Sequence, residues 1–134
     1  MATLTPTLAL TSTDATGDTL SLSVTDSLAI GANKVRLSRT YSPDDVSPGG
    51  VQIFSTNLGP SYMYLKNTHA TLKIHIQAAA DTAESGDVTD VVMELNAGEF
   101  AFFCWAGVVD LFASTGDNGA GIATDGLEVI IFEI

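Results

Sequence analysis

Apolar and polar residues alternate with a period of two along most of this chain, which is the pattern of a half-buried β-strand. In the first segment, the positions Leu4, Pro6, Leu8 and Leu10 alternate with threonines at positions 3, 5, 7 and 11. After a turn at residues 14–18, a second alternating run covers residues 20–25. The two runs predict a hairpin with one apolar face and one hydroxyl-rich face. Because proline cannot donate to a ladder, the first run is typical of an edge strand.

Eight further strands are predicted from similar alternation or from short apolar runs. They are Lys34–Thr40, Val51–Thr56, Tyr62–Lys66, Thr71–Gln77, Val91–Leu95, Glu99–Trp105, Val108–Ala113 and Leu127–Ile134. Gly- and Pro-rich turns separate them, so the chain is predicted to be all-β, an antiparallel, jelly-roll-like β-sandwich of about 8–10 short strands. The one helical turn predicted is Ala78–Glu84, before Gly86.

The length of 134 residues is that of one domain, and neither a linker nor an internal repeat interrupts it. We therefore expect a single β-sandwich domain over residues 1–134. Within it, residues 1–13 are either an N-terminal arm that contacts another chain or an ordinary edge strand, because an uncharged, Thr-rich terminal strand suits both.

Charge is distributed unevenly along the chain. Five Lys and Arg stand against sixteen Asp and Glu, a net charge of −11. All five basic residues precede Ile74, so the later residues carry acids alone. This balance argues against binding nucleic acid through its phosphates. It fits either a solvating acidic surface or a face that meets a basic or metal-bearing partner. No apolar stretch is long enough to predict a membrane helix, and no partner membrane is expected.

The run from Phe100 to Trp105 is apolar at both alternating sets of positions, and residues 130–134 repeat this behaviour. Such strands are buried on two sides, either inside the sandwich or against a neighbouring subunit. A sugar-binding platform built on Trp105, Tyr62 or Tyr64 is the ligand alternative. The candidate partner-interface residues are Leu4, Pro6, Leu8, Leu10, Phe103, Trp105, Ile130 and Phe132.

Candidate chemistry is sparse. Cys104, the single cysteine, lies between aromatic residues and is predicted to be a buried, unreactive thiol. His69 falls in a predicted turn and His75 on the polar face of its strand, so both are expected to be surface residues without a catalytic role. No nucleophile elbow or phosphate-binding loop occurs, and residues 116–121 read as a loop. We therefore predict neither an enzyme nor a cofactor, with a hydrolase using cross-strand carboxylates as the remaining enzymatic alternative.

Calcium is the one metal with support in the sequence, because hard cations take carboxylate and carbonyl oxygens on flexible turns. Three acidic loops qualify, although none has EF-hand spacing. Their candidate ligands are Asp14 and Asp18; Asp81, Glu84, Asp87 and Asp90; and Asp117, Asn118 and Asp125. Acidic turns are common without metal, so we predict no metal site.

Three segments suggest a family: TLALTSTDATGDTLSLSVTDSLAI, ELNAGEFAFFCW and the C-terminal GLEVIIFEI. They resemble small virion structural proteins of tailed bacteriophages, especially marine and cyanobacterial ones, and leave residues 33–90 uncovered. The resemblance implies a non-enzymatic capsid decoration or cement protein on the outer virion surface, assembled in the host cytoplasm. The expected partners are further copies of the chain, as a homotrimer, and the major capsid protein or another virion protein. The alternative is a tail, neck or receptor-binding accessory that binds carbohydrate or calcium.

Overall fold

The computed structural model describes residues 2–13, 20–31, 35–41, 50–79, 91–115 and 126–134, with side chains for all of these except 35–41 and 79. The chain divides into two compact units, residues 1–34 and residues 35–134. The predicted N-terminal arm, residues 1–13, forms part of the smaller unit. The acidic loops proposed as calcium ligands lie outside the described residues.

The smaller unit is a long two-stranded antiparallel ribbon. Its strands are β1 (Ala2–Leu4), β2 (Thr7–Ser12), β3 (Leu20–Thr25) and β4 (Leu28–Ile30), with β1 paired to β4 and β2 to β3. The register continues across the interruption at Pro6, since Leu4 pairs with Leu28 and Thr7 with Thr25. At the interruption the Asp26 N–H donates to the Pro6 carbonyl at 3.1 Å. The predicted hairpin is confirmed, and it extends further than the alternation of residues 20–25 indicated.

The larger unit contains eight strands in two four-stranded antiparallel sheets. They are β5 (Val35–Tyr41), β6 (Val51–Phe54), β7 (Ser61–Asn67), β8 (Ile74–Ala79), β9 (Val91–Leu95), β10 (Phe100–Trp105), β11 (Asp110–Ser114) and β12 (Leu127–Glu133). One sheet has the order β10-β7-β12-β5, which we call the first sheet, and the second sheet has the order β6-β11-β8-β9. A 3-10 turn, Thr56–Leu58, joins β6 to β7.

Successive strands alternate between the two sheets except at β8 and β9, which are neighbours in the second sheet. The predicted all-β, antiparallel sandwich-like fold is confirmed. The predicted helical turn is wrong at its start, because Ala78 and Ala79 continue β8 and pair with β11. Ala78 packs against the apolar core, which favours the extended conformation there. The rest of that turn lies outside the described residues.

The core lies between the two sheets and is formed by alternate residues of their strands. Met63 and Leu65 of β7 and Leu127 of β12 face it from the first sheet, while Ile74 and Leu111 face it from the second. All five are almost completely buried. β7 and β12 accordingly bury every second residue along most of their length, as the period-two pattern predicted.

Asn67 at the end of β7 is a buried polar residue whose hydrogen bonds are satisfied by the corner around it. Its Nδ2 donates to the carbonyls of Leu72 (2.8 Å) and Leu95 (3.0 Å), and its Oδ1 accepts from the His69 N–H (2.9 Å). His69 Nδ1 in turn accepts the N–H groups of Thr71 (3.2 Å) and Leu72 (2.9 Å). The corner thereby connects the end of β7 to the segment before β8 and to the end of β9.

We expect Asn67→Ala to lower the free energy of unfolding by about 3 kcal/mol, because three buried backbone groups lose their partner. Urea unfolding followed through the fluorescence of Trp105, the only tryptophan, would measure this change in the larger unit. The control is Asn57→Ala on the exposed 3-10 turn, which we expect to change stability by less than about 0.5 kcal/mol. Equal effects of the two substitutions would contradict the structural role given to Asn67.

Candidate interaction surfaces

The aromatic run of β10 is divided between the two sides of the first sheet. Phe103 and Trp105 face inward and pack against the core, with their rings 6.4 Å apart in an edge-on arrangement. The Trp105 indole N–H donates to the Val109 carbonyl at 3.2 Å. Trp105 is therefore oriented by the protein interior, and the sugar platform predicted on it has no free indole face toward the outside of the sheet.

Phe100 and Phe102 face outward and are 62% and 40% exposed. Phe102 pairs with Tyr64, which pairs with Ile130, so these three side chains form one row across β10, β7 and β12. Tyr62 pairs with both Cys104 and Phe132 and forms the next row. We call this set of outward side chains the aromatic face. Its members are Phe100, Phe102, Cys104, Tyr62, Tyr64, Ile130 and Phe132.

Ring contacts order the aromatic face. Tyr62 and Phe102 are nearly parallel, with an interplanar angle of 13° and centroids 6.2 Å apart, and Tyr64 lies 6.2 Å from Phe100 with a tilt of 30°. Lys66 and Glu128 are cross-strand neighbours at the border of the face, in the row of Phe100. An outward sheet surface is normally polar, so an ordered aromatic one indicates an interaction site.

The prediction of a buried Cys104 is wrong, because the thiol is exposed. Alternation along β10 places Cys104 on the same side as Phe100 and Phe102, away from the core. Among the described strands β10 pairs only with β7, so it is an edge strand as well. Aromatic neighbours in the sequence therefore did not bury this side chain.

A second apolar surface belongs to the ribbon. Leu8 pairs with Val24 and Leu10 with Leu22, which puts these side chains on one side together with Leu20. The five are 40% to 50% exposed. We call this surface the leucine face. On the opposite side the hydroxyls of Thr7 and Thr25 lie 3.1 Å apart, so the predicted apolar and hydroxyl-rich faces are both present.

The predicted interface residues fall into three environments. Leu4 and Pro6 of the ribbon are half-buried, and Leu8 and Leu10 are exposed on the leucine face. Phe103 and Trp105 pack against the core. The remaining two, Ile130 and Phe132, are half-buried on the aromatic face.

A small apolar cavity of about 210 Å³ opens at the side of the sandwich. It lies between β9 and β10, which are edge strands of opposite sheets among the described strands. Met93, Phe103 and Trp105 contribute to its lining. Its volume is below the roughly 300 Å³ of a typical small-molecule site, so it suits an apolar side chain better than a cofactor.

Lys73, just before β8, and Glu94 of β9 form an exposed ion pair. Lys73 Nζ lies 2.9 Å from Glu94 Oε2, and this contact lowers the pKa of the Glu94 carboxyl. Because the pKa of this carboxyl is lower in the folded than in the unfolded chain, the ion pair stabilises the fold at pH values above the unfolded-state pKa. This stabilisation is lost as the pH falls through the folded-state pKa. The pair is exposed, so its contribution is small. His75 Nδ1 lies 3.4 Å from the same oxygen.

Among the residues that the structure describes, no group of three or more His, Cys, Asp and Glu side chains could hold a metal ion. His69, predicted in a turn, is half-buried and supports the Asn67 corner. No helix among the described residues is long and apolar enough to span a membrane.

No family model, curated protein or solved structure matches this chain. The surfaces described above are therefore the basis for any functional conclusion.

Sequence reasoning missed the outward direction of Phe100 and Phe102. A strand whose two sides are both apolar does not reveal which side faces the core. The signal that could have decided it lies in the neighbouring strands. β7 alternates Tyr62 and Tyr64 with Met63 and Leu65, so its aromatic side is the outer one, and β10 follows it in register.

We expect Phe103→Ala to lower the free energy of unfolding by about 3 kcal/mol, because it leaves a cavity beside the core. The adjacent substitution Phe102→Ala removes the same atoms from the exposed side and should cost less than about 1 kcal/mol. Urea unfolding of both variants, followed by Trp105 fluorescence, measures the two changes in the free energy of unfolding. Because Phe103 contacts Trp105, circular dichroism provides a second probe of the same transitions. A larger loss from Phe102→Ala would mean that the two sides of β10 are assigned the wrong way round.

Proposed function

We propose that this chain is a non-enzymatic structural protein of a phage virion, a capsid decoration protein that attaches to its particle through the aromatic face. The observation that carries the proposal is this ordered, uncharged patch on the outer side of a sheet. Apolar surface of this kind is stabilised when a protein partner covers it. We propose a phage virion as the particle because the two ends of the chain resemble small phage structural proteins.

The charge of the chain supports the same proposal. With a net charge of −11, the protein is repelled by packaged nucleic acid and suits the outer surface of a capsid. Across β10, β7 and β12, the two central rows of the aromatic face are formed by uncharged residues: Phe102, Tyr64, Ile130, Tyr62, Cys104 and Phe132. Attachment through this face therefore does not require an acidic surface to approach the capsid closely. The proposed partner is the major capsid protein or another virion protein.

The second candidate function is a tail, neck or receptor-binding accessory that binds carbohydrate. The nearly parallel rings of Tyr62 and Phe102 favour it, since sugars stack on aromatic rings and tyrosine hydroxyls can hydrogen bond to them. Calorimetric titration or a glycan array distinguishes the two candidates. Glycan binding that is lost in Phe102→Ser would support the accessory role. Absence of binding to any glycan would leave attachment to the capsid as the proposal.

We expect the double variant Phe100→Ser, Phe102→Ser to bind virions of the encoding phage at least about tenfold more weakly than the wild-type chain, because two exposed aromatic anchors are removed. Co-sedimentation with virions stripped of the native protein measures the binding. The matched control is Val92→Ser, which removes an equally exposed apolar side chain from β9 in the second sheet. Equal binding by both variants, or no binding by the wild-type chain, would refute the proposal.

The exposed Cys104 provides an independent readout of the same face. We expect its alkylation by a maleimide to be at least about tenfold slower on the particle than in the free chain, since bound protein excludes the reagent. The control is Asn57→Cys in a Cys104→Ser background, which moves the thiol to the exposed 3-10 turn. The alkylation rate of this control thiol should be nearly the same on the particle and in the free chain. Protection of the control position alone would show that a different surface attaches.

A further inference from the structure

The leucine face of the ribbon is the second unpartnered apolar surface, and it lies in the smaller unit. It is formed by Leu8, Leu10, Leu20, Leu22 and Val24, each 40% to 50% exposed. A two-stranded ribbon is at best marginally stable in water, and three or more strands or a packed face are needed for independent stability. The ribbon is nevertheless part of a compact unit, in which residues 2–4 pair with residues 28–30 and residues 7–12 with residues 20–25. Its exposed apolar face would therefore be stabilised by another surface that covers it.

The charge pattern indicates which surface that is. The four ribbon strands contain no Asp, Glu, Lys or Arg, although the whole chain carries a net charge of −11. Copies of so acidic a chain repel one another wherever their charged surfaces meet. The five side chains of the leucine face are uncharged, and Asp26 lies opposite Pro6 at one end of it, so a second copy can approach the centre of this face at low electrostatic cost. A basic partner, by contrast, would gain nothing from this face.

The shape of the leucine face fits a copy of itself. Cross-strand pairs of large aliphatic side chains, Leu8 with Val24 and Leu10 with Leu22, form a surface without a central polar group. Two such ribbons can pack face to face as the two layers of a small sandwich, with each hydroxyl-rich side left in water. Symmetric contacts of this kind use the same patch on each copy.

We propose that the leucine face is covered by the leucine face of other copies of this chain, so that the ribbon is its self-association element. The inference does not depend on attachment to a capsid, which is assigned to the aromatic face. The five side chains expose roughly 400 Å² per copy, about half of what each partner buries in a standard interface. We therefore expect a weak association, with a dissociation constant of roughly 10–100 µM.

The test uses the full-length chain and two matched double variants. In the first, Leu10→Lys with Leu22→Glu places an opposite-charge pair on the leucine face. In the second, Thr11→Lys with Ser21→Glu places the same pair one position along, on the hydroxyl-rich face. Cross-strand pairs of opposite charge are compatible with the ribbon, and neither variant changes the net charge. The two variants therefore differ in the face that they alter.

We expect light scattering of the wild-type chain and of the hydroxyl-face variant to show a concentration-dependent rise to the mass of two copies. The leucine-face variant should stay monomeric, with its dissociation constant raised at least about tenfold. A wild-type chain that is monomeric at several hundred micromolar would overturn the proposal, and so would oligomers of unchanged affinity in the leucine-face variant. A mass of two copies would also replace the expected trimer by a dimer.

A second measurement applies even where the charged variants fail to form the ribbon. In a Cys104→Ser background, Leu22→Cys puts the only thiol on the leucine face and Ser21→Cys puts it on the opposite side. With an added oxidant, we expect the Leu22→Cys chain to form disulfide-linked dimers much faster than the Ser21→Cys chain. Equal rates would overturn the proposal, because they would show that the leucine faces do not meet. Loss of virion binding alone would bear on the aromatic face and not on this inference.

Discussion

The two-residue period of the strands is the constraint on which the sandwich depends. Because successive side chains point to opposite sides, only one of the two sets in each strand can reach the space between the sheets. Met63 and Leu65 of β7 occupy that space, and Tyr62 and Tyr64 are consequently turned outward. The same rule divides the aromatic run of β10, where Phe103 enters the core region and Phe102 does not. The apolar outer face is therefore a geometric result of how this sequence fills its core.

The fold class and most of the strands could be predicted from the alternation of residues. The hairpin was visible because its faces differ in chemistry, with leucines on one side and hydroxyls on the other. The three-residue strands β1 and β4 were not predicted separately, since such short runs carry too little pattern. The error at Ala78 has a related cause, because alanine favours helix locally while pairing with β11 and packing on the core favour a strand.

The surfaces were less predictable than the strands, because exposure depends on contacts between distant segments. Cys104 was expected to be buried from its neighbours in sequence, yet its direction is decided by the register of β10 on β7. Asn67 had no signal at all in the sequence. Its role depends on carbonyls of Leu72 and Leu95 that come together only after β7, β8 and β9 are in place. The pairing of Glu94 with Lys73 was invisible for the same reason.

The position of β12 has a consequence for the order in which the chain can fold. This strand, the last of those described, lies in the interior of the first sheet, between β5 and β7. Until residues 127–133 have been synthesised, β5 has no neighbour in its sheet among the described strands. The inner side of β7 then also lacks its core neighbours Leu127, Val129 and Ile131. Closure of the core therefore waits for β12. A chain that lacks residues 127–133 would leave the inner side of β7 exposed, and incompletely folded chains of this kind are prone to aggregate.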